Sequence, residues 1–310
     1  MSSNSAGLRP LHLYLHIPYC KARCDFCSQR VCLDGEPGMR SYCDALVREM
    51  EASAADFADY VVTSVAIGGG CPTSLPQEVF EKLVRRMRTL FCVAEDAQIT
   101  VELPHNGINA SWMVLFQRLK VNRLSVFLAT GRDAECVLLG LPSRIASAET
   151  TLILPQMMHL PDYEAILLTG IPGQTVSGFG VSLRFAVRYH TPEITILPMQ
   201  PPTGSAWQKK KDSLPPYPSG EETAAMLDYA RQHLSEKGYE EYRPGRWARD
   251  GFCNQDLLAR ETEEDYLSFG AGTTSCTEGI IYRTTDDLAA YLAAPDDPAA
   301  IYTVTGRRMV

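Results

Sequence analysis

The sequence predicts an α/β protein built on a partial (β/α)6 barrel, and three observations lead to this prediction. Strand-like and helix-like segments alternate along the first two thirds of the 310-residue chain. Only six such strands are found, fewer than a complete eight-fold barrel needs, so an open doubly wound sheet is the alternative. Finally, the residues that could carry chemistry follow the ends of predicted strands, where the loops of a parallel sheet converge.

The strand predictions rest on alternating or β-branched apolar residues. LHLYLHI (11–17) alternates, and YVVTSVAI (60–67) is a β-branched run typical of a buried strand. The other predicted strands are QITVEL (98–103), RLSVFLA (123–129), EAILL (164–168) and EITIL (193–197). Because helices are expected between successive strands, the sheet is predicted to be parallel.

The helix predictions rest on apolar residues at a spacing of three and four. The clearest helix covers 77–91, with one apolar face made by Val79, Phe80, Leu83, Met87 and Leu90. Further helices are predicted over 40–58, within 109–119 and at about 220–237.

The chain is expected to divide into four regions. These are an N-terminal tail (1–10), a core barrel (11–197), a proline-rich loop (198–219) and a C-terminal extension (220–310). After its helix, the extension is predicted to be short and irregular.

Composition and charge restrict the class of protein. With 45% hydrophobic and 21% charged residues, the chain is typical of a globular protein, and its net charge of −8 argues against nucleic acid or an anionic membrane as the main partner. No run approaches the roughly 18–20 apolar residues of a membrane span, and no secretory signal is evident. Ten cysteines without a disulfide framework favour a cytoplasmic protein whose thiols serve metals or chemistry.

Three cysteines, Cys20, Cys24 and Cys27, form a C-x3-C-x2-C group directly after the first predicted strand. A structural zinc site needs four ligands, usually in two separated pairs, and a redox pair would leave Cys20 unexplained. An iron–sulfur cluster held by three local thiolates is favoured, since it leaves one iron open to a small molecule. Cys32 could close the cluster as a fourth ligand, although a supporting role is the preferred interpretation.

Further candidate residues follow other strands. GGGCPT (68–73) follows the second strand, Glu102 ends the third, and GIPGQT (170–175) follows the fifth. Three consecutive glycines indicate a close approach of the backbone, although a tight turn explains them equally well. All these segments are expected at the same edge of the sheet as the cysteines.

The order of HIPYCKARCDFC, IGGGCPT, VELP, NRLSV, GIPGQT and YLSFGAGTTSC resembles radical S-adenosylmethionine (SAM) enzymes. More narrowly, it is similar to the branch that holds oxygen-independent coproporphyrinogen III oxidase and the related haem chaperone. The resemblance covers about residues 11–292 and implies a partial (β/α)6 radical SAM barrel.

The resemblance implies that Cys20, Cys24 and Cys27 hold a [4Fe–4S] cluster whose fourth iron chelates SAM. One electron, from a flavodoxin- or ferredoxin-type donor, would then split SAM into methionine and a 5′-deoxyadenosyl radical. Phe26 would border the adenine and Tyr14 would lie against the cofactor. The remaining implied SAM contacts are Gly68, Gly69, Gly70 and Glu102.

Several positions depart from the family pattern. Cys71 replaces the threonine of GGGTPT, and Ala129 stands where S-x-G-V-Q-S has glutamine. Leu141 and Ile166 replace the usual arginine and aspartate, with Arg144 a nearby substitute. Each lost polar contact typically costs ~1–3 kcal/mol, so SAM binding is expected to be weakened and enzymatic activity is left open.

The functional prediction is a radical SAM protein that cleaves SAM, binds and transfers haem, or both, in porphyrin metabolism. The absence of a C-x-C cysteine after Cys27 and a short N-terminal segment favour the chaperone-like members, whose C-terminal domain is expected to be shortened here. Haem or a porphyrin is then the small-molecule partner. His105 could bind haem iron, although an exposed loop histidine is the commoner case.

Three alternatives stay open. The first is a radical SAM enzyme on another substrate, such as a methyltransferase. The second is a haem-binding iron–sulfur module that no longer cleaves SAM. The third, a simple electron carrier, is disfavoured because a carrier needs no glycine-rich pocket.

Overall fold

Six parallel strands in chain order form the centre of the fold in the computed structural model. The structure describes residues 7–27, 32, 35–105, 107–142, 144–199, 206–209, 211–261 and 264–308. The strands are β1 (Arg9–Ile17), β2 (Tyr60–Gly69), β3 (Val93–Leu103), β4 (Arg123–Ala129), β5 (Asp162–Thr169) and β6 (Glu193–Pro198). Each neighbouring pair is parallel. The predicted α/β class and all six predicted strands are therefore confirmed.

Helices connect these strands, as a parallel sheet requires. They are α1 (Glu36–Ser53), α2 (Gln77–Leu90), α3 (Ala110–Arg118), α4 (Asp133–Leu138), α5 (Ile145–Met157) and α6 (Val176–Arg188). The predicted face of α2 is buried, except that Leu90 is only half-buried. The helix predicted over 40–58 ends at Ser53, and one turn of 3-10 helix (Ala54–Phe57) follows it.

The sheet is not closed into a barrel. Six further strands from the C-terminal region extend the sheet: β7 (Glu240–Arg243), β8 (Arg246–Ala248), β9 (Asp265–Phe269), β10 (Thr274–Thr277), β11 (Ile280–Thr284) and β12 (Tyr302–Arg307). The strands lie in the order β12-β11-β10-β9-β1-β2-β3-β4-β5-β6-β8-β7, so in the described part of the chain β12 and β7 are the two edges. The partial barrel expected from six β/α units is therefore the observed architecture.

The C-terminal region differs from the irregular extension that the sequence suggested. It contains α8 (Gly220–Glu236), β7 (Glu240–Arg243), β8 (Arg246–Ala248), α9 (Gln255–Glu261), β9 (Asp265–Phe269), β10 (Thr274–Thr277), β11 (Ile280–Thr284), α10 (Leu288–Ala293), α11 (Pro298–Ile301) and β12 (Tyr302–Arg307). Strands of three to six residues are too short for a clear period of two. The turn between β10 and β11 consists of Glu278 and Gly279, both with positive φ (50° and 75°), which is the geometry of a tight two-residue hairpin.

The C-terminal strands extend both sides of the parallel core. β9 pairs parallel with β1, and β8 pairs antiparallel with β6. Strands from beyond the proline-rich segment thus share one sheet with the core, and the boundaries proposed at 198 and 219 stay predictions.

The two faces of the core sheet differ in polarity. In β1, Leu11, Leu13 and Leu15 are fully buried in the main apolar core, where each contributes roughly 1.5–3 kcal/mol. The residues between them point to the opposite face. There Tyr14 and His16 lie beside β2, aligned with Ala66 and Gly68. Polar side chains therefore gather on the face that the core helices do not cover.

The segment 198–219 is described in part. It holds the short helix α7 (Ala206–Lys209) and a 3-10 turn (Lys211–Ser213), while 200–205 and 210 lie outside the described residues. Among the helices that the structure describes, none combines the length and apolar character needed to cross a membrane.

Candidate functional site

Cys20, Cys24 and Cys27 lie on the loop that leaves β1 at the carboxyl end of the core strands. All three are half-buried, and none forms a disulfide. The Cys27 N–H donates to the Cys24 carbonyl at 3.1 Å, which makes a tight turn around the last two thiols. The Asp25 N–H donates to the carbonyl of Leu139, the residue after α4, at 3.2 Å. The three predicted ligands therefore lie on one short, anchored loop.

Cys32 supports the start of this loop through its backbone. Its N–H donates to the Pro18 carbonyl at 2.7 Å, and its carbonyl accepts from the Cys20 N–H at 3.2 Å. Tyr19 and Cys32 form an isolated parallel bridge. These bonds fix the backbone of Cys32 beside the loop, and whether its thiol supports the site or acts as a fourth ligand stays a prediction.

The glycine-rich loop after β2 holds the same segment from its other side. The Gly70 N–H donates to the Ile17 carbonyl at 2.8 Å, and the Cys71 N–H donates to the Tyr19 carbonyl at 2.7 Å. The Cys71 side chain is buried, with its Sγ atom 3.4 Å from Thr73 Oγ1. The residue that departs from GGGTPT therefore lies next to the cysteine loop.

Burial and neighbouring sulfur atoms act on the loop thiols. Burial, with smaller contributions from the thiols of Cys71, Cys27 and Cys24, raises the pKa of Cys20 to about 12. Burial likewise raises the pKa of Cys24 to about 11, with a contribution from Cys27. A positive metal centre would favour the thiolate forms, because thiolates are the metal-binding species.

The cysteine loop offers three thiol donors close together in the chain. Across the described ranges, no three His, Cys, Asp or Glu side chains are arranged to hold one metal ion. Three thiolates on one loop are the kind of ligand set that iron–sulfur clusters use.

All three glycines at the carboxyl end of β2, Gly68 and Gly69 in the strand and Gly70 after it, are needed for packing. A Cβ on Gly68 would overlap the Glu102 carboxylate, and a Cβ on Gly69, whose φ is +99°, would overlap the His16 ring. A Cβ on Gly70 would lie 2.7 Å from two carbonyl oxygens at the start of the cysteine loop. The predicted close approach of the backbone is thus observed, and the groups approached are the chain's own.

Tyr14, His16 and Glu102 surround Gly69. The Gly69 N–H donates to Glu102 Oε2 at 2.8 Å, and the Tyr14 hydroxyl lies 3.3 Å from His16 Nδ1. Burial lowers the pKa of His16 to about 4, so the ring is neutral at pH 7. The structure therefore brings Tyr14, Glu102 and the glycines together beneath the cysteine loop.

Phe26 lies in an aromatic group that the sequence analysis did not predict. Its ring stacks on Phe127 of β4, with centroids 5.8 Å apart and an angle of 22°. Trp207 of α7 meets Phe26 edge to face at 6.3 Å. The sequence held one indication of this, because SVFLAT places Phe127 where S-x-G-V-Q-S has glycine.

Apolar residues surround this aromatic group. We call them the mouth cluster; its buried members are Ala129, Cys136, Leu139, Leu141, Leu168, Ile171 and Trp207. Cys24, Phe26 and Phe127 pack against it. It lies near the carboxyl ends of β4 and β5, beside the cysteine loop.

Positions where the family pattern has polar residues are apolar here. Ala129 is fully buried, Leu141 is 6% exposed, and Ile166 is half-buried. Arg144, the suggested substitute for the arginine, is exposed at the start of α5.

The site therefore fits its two implied cofactors unequally. The cysteine loop offers thiolates for a cluster. Among the described residues, Phe127, Trp207 and the largely apolar mouth cluster occupy the surroundings of Phe26, where an adenosyl moiety would require polar partners. In this structure, the residues do not fit the adenosyl half of SAM.

His105 is not the exposed loop residue that was the commoner expectation. It is 1% exposed, and its Nε2 atom lies 3.6 Å from the thiol of Cys136 in the mouth cluster. Burial lowers the pKa of His105 to about 4. His105 is thus a neutral side chain in a packed setting beside the aromatic group.

A buried ionic group, also not predicted, lies at the opposite ends of the strands. The Arg123 guanidinium, fully buried at the start of β4, pairs with Asp162 and with Glu193, whose Oε2 atom is 2.5 Å away. Glu164 lies 3.7 Å from Arg123 and 3.6 Å from Arg246. This group ties the amino ends of β4, β5 and β6 together, away from the cysteines.

Comparison with known proteins relates the chain to two kinds of protein. It is 26% identical to the heme chaperone HemW of Escherichia coli (strain K12) over 282 residues, which cover 90% of this chain and 74% of that protein. It is 27% identical to the oxygen-independent coproporphyrinogen III oxidase of Salmonella typhimurium over 264 residues, 83% of this chain and 54% of that protein. No family model matches the chain.

The fold has a near relative among solved structures. The coproporphyrinogen III oxidase HemN from Escherichia coli, described as a radical SAM enzyme, superimposes with a TM-score of 0.85 at 22% identity. The match covers 98% of this chain and 74% of that one. The fold and the resemblance inferred from the motifs are confirmed.

Proposed function

We propose that this chain is a [4Fe–4S] protein of the radical SAM fold that binds haem or a porphyrin. Cys20, Cys24 and Cys27 would be the thiolate ligands of the cluster. The sequence relatives named as heme chaperones and coproporphyrinogen oxidases supply the ligand class, since both handle tetrapyrroles by name.

One observation carries the proposal: the three-cysteine loop is anchored by backbone hydrogen bonds at its start and in its middle. Backbone bonds from Cys32, Gly70 and Cys71 fix its start, and the Asp25 N–H ties its middle to Leu139. Preorganised ligands bind a metal centre more tightly, because less conformational entropy is lost on binding.

A bound [4Fe–4S] cluster would supply one-electron chemistry at the carboxyl end of the sheet. The polypeptide positions the thiolates, and the mouth cluster shields Cys24 from water on one side. In this proposal, a flavodoxin- or ferredoxin-type protein supplies electrons, and the protein works in the cytosol. All ten cysteines are free of disulfides, as a reducing compartment favours.

A second candidate function is SAM cleavage on another substrate. The contacts among Tyr14, Glu102 and Gly69 favour it, because they form the part of the implied SAM site that is intact. Quantifying 5′-deoxyadenosine after anaerobic addition of SAM and dithionite would separate the candidates. Product above a Cys20→Ala control would support cleavage.

The cluster ligands are tested by anaerobic reconstitution, followed by assays of iron and acid-labile sulfide. We expect about four irons per chain in the wild type and a large loss in Cys24→Ala. Cys92→Ala is the matched control, because Cys92 is exposed and lies after α2. A Cys24→Ala protein that keeps the wild-type iron content would overturn the ligand assignment.

Haem binding is tested separately by titrating haem into the reconstituted protein and recording absorption spectra. We expect a saturable spectral shift. If the spectra at every step are those of free haem added to the reconstituted protein, haem binding is refuted. The proposal that the chain holds a [4Fe–4S] cluster would not be affected.

A further inference from the structure

Phe127 occupies a position in β4 from which its ring reaches the cysteine loop. It is aligned with Ile166 of β5, and its ring stacks on Phe26 at 5.8 Å. Phe26 directly precedes Cys27. An aromatic stack therefore joins β4 of the sheet to the cysteine loop.

Trp207 closes the same place from a third side. It is 1% exposed, it meets Phe26 edge to face, and its Nε1–H donates to the Leu138 carbonyl at 3.2 Å. A buried indole with its N–H bonded is a well-satisfied side chain. Displacing it would expose a large apolar surface and leave a buried carbonyl with one partner fewer.

The surroundings of the stack are unsuited to a nucleoside. An adenine ring needs partners for its ring nitrogens and its amino group, and burying them unpaired is costly. The nearby members of the mouth cluster, such as Ala129, Leu141 and Leu168, offer only apolar side chains. Both shape and polarity thus disfavour an adenosyl group here.

We propose that Phe127 and Trp207 keep the adenosyl half of SAM away from Phe26, and that Phe127 is the residue that determines this exclusion. The inference rests on the proposed function in taking the cysteine loop as the cofactor site. It departs from the resemblance, which implies an adenine beside Phe26. The chain would then hold its cluster without tight binding of SAM.

The experiment uses a probe that needs no iron. 5′-Methylthioadenosine carries the adenosyl group of SAM but lacks the amino and carboxylate groups that would chelate the cluster. Its binding to the full chain is measured by equilibrium dialysis of the radiolabelled compound, with and without reconstitution. We expect negligible binding to the wild type and at least roughly tenfold tighter binding to Phe127→Ala.

Phe57→Ala is the matched control. Phe57 is a partly buried ring just before β2, at the other end of the sheet, and it packs at a tilt of 54° against Tyr60, the first residue of that strand. The Phe57→Ala protein should bind no more 5′-methylthioadenosine than the wild type. If Phe127→Ala does not fold, as judged by urea unfolding, Phe127→Leu replaces it, with a smaller expected gain.

Two results would overturn the inference. The first is equal binding of the probe by the wild type and the Phe127 variant. The second is the absence of binding by a folded Phe127 variant. Iron content, measured on the same samples, tests the proposed function independently. Binding of the probe therefore tests whether Phe127 excludes the adenosyl group even in a chain that holds no cluster.

Discussion

The backbone N–H of Gly69 donates to the carboxylate of Glu102 at 2.8 Å, and this bond joins the glycine-rich end of β2 to β3. A Cβ on the preceding Gly68 would overlap that carboxylate. This glycine-rich segment therefore orients Glu102, and it can do so only with glycine at position 68. Since the next residues, Gly70 and Cys71, bond to the start of the cysteine loop, the position of Glu102 is coupled to the proposed ligands.

Gly68→Ala should displace Glu102 and weaken the site. We expect a loss of about 1–3 kcal/mol in the free energy of unfolding, from overpacking and a weakened hydrogen bond, together with lower iron retention. Urea unfolding and iron assays measure both. Gly220→Ala is the control, because nothing lies within 4 Å of the Cβ it would introduce. Equal unfolding free energies and equal iron retention in the two variants would contradict the coupling of Glu102 to the proposed ligands.

Glu49 is a buried carboxylate that links α1 to the C-terminal region. It is 1% exposed and accepts hydrogen bonds from the Gly270 N–H (2.8 Å) and from the hydroxyls of Tyr291 (2.6 Å) and Tyr302 (2.9 Å). Burial raises the pKa of Glu49 from 4.5 to about 7, against the opposing effect of these bonds. The pKa values of Tyr42, Tyr291 and Tyr302 are raised by burial, so these groups stay neutral.

Stability should therefore fall as pH rises from about 4.5 to the pKa of Glu49, about 7. A raised pKa in the folded state contributes stability that is complete below pH 4.5 and is lost as pH rises through about 7. The cost above pH 7 is about 3 kcal/mol. Glu49→Gln should lack this step when urea unfolding is followed between pH 5 and 8. If the difference in the free energy of unfolding between the wild type and Glu49→Gln does not change with pH, the raised pKa of Glu49 is refuted.

The sequence predicted the parallel core because long apolar strands and amphipathic helices have clear periods. β4 was predicted with its observed bounds, Arg123–Ala129. The short C-terminal strands were missed, since three to six residues cannot display a period, and their pairing with β1 and β6 depends on distant parts of the chain.

The candidate site was predictable only where local sequence decides it. The cysteine spacing located the loop, and the run of glycines indicated a close approach that the structure assigns to Glu102 and His16. The stack of Phe127 on Phe26 joins residues 101 positions apart, so no local pattern could reveal it. The burial of His105 likewise depends on its contact with Cys136, which follows β4 in the chain.

Arg123→Met should strongly destabilise the fold. The variant would leave Asp162 and Glu193, at the amino ends of β5 and β6, without their buried cationic partner. Removing one member of a buried ion pair typically costs about 3–5 kcal/mol. Lys82→Met is the control, because the ion pair of Lys82 with Asp44 is exposed and should matter little. Similar urea midpoints for the two variants would contradict a structural role for Arg123.

Two substitutions at Cys32 separate its backbone from its side chain. Only the backbone is needed to hold the start of the cysteine loop, through the bond from the Cys32 N–H to the Pro18 carbonyl at 2.7 Å. Cys32→Ala keeps this bond and should retain the wild-type iron content after reconstitution. Cys32→Pro removes the donor and should lower iron binding, since proline has no N–H.

The outcome for Cys32→Ala decides between two roles. If it loses iron as completely as Cys24→Ala does, Cys32 is a fourth thiolate ligand rather than a backbone support. If Cys32→Pro keeps all its iron, the bond to Pro18 does not organise the loop. Circular dichroism of both variants checks that the α/β fold is intact, so that a loss of iron reports on the loop alone.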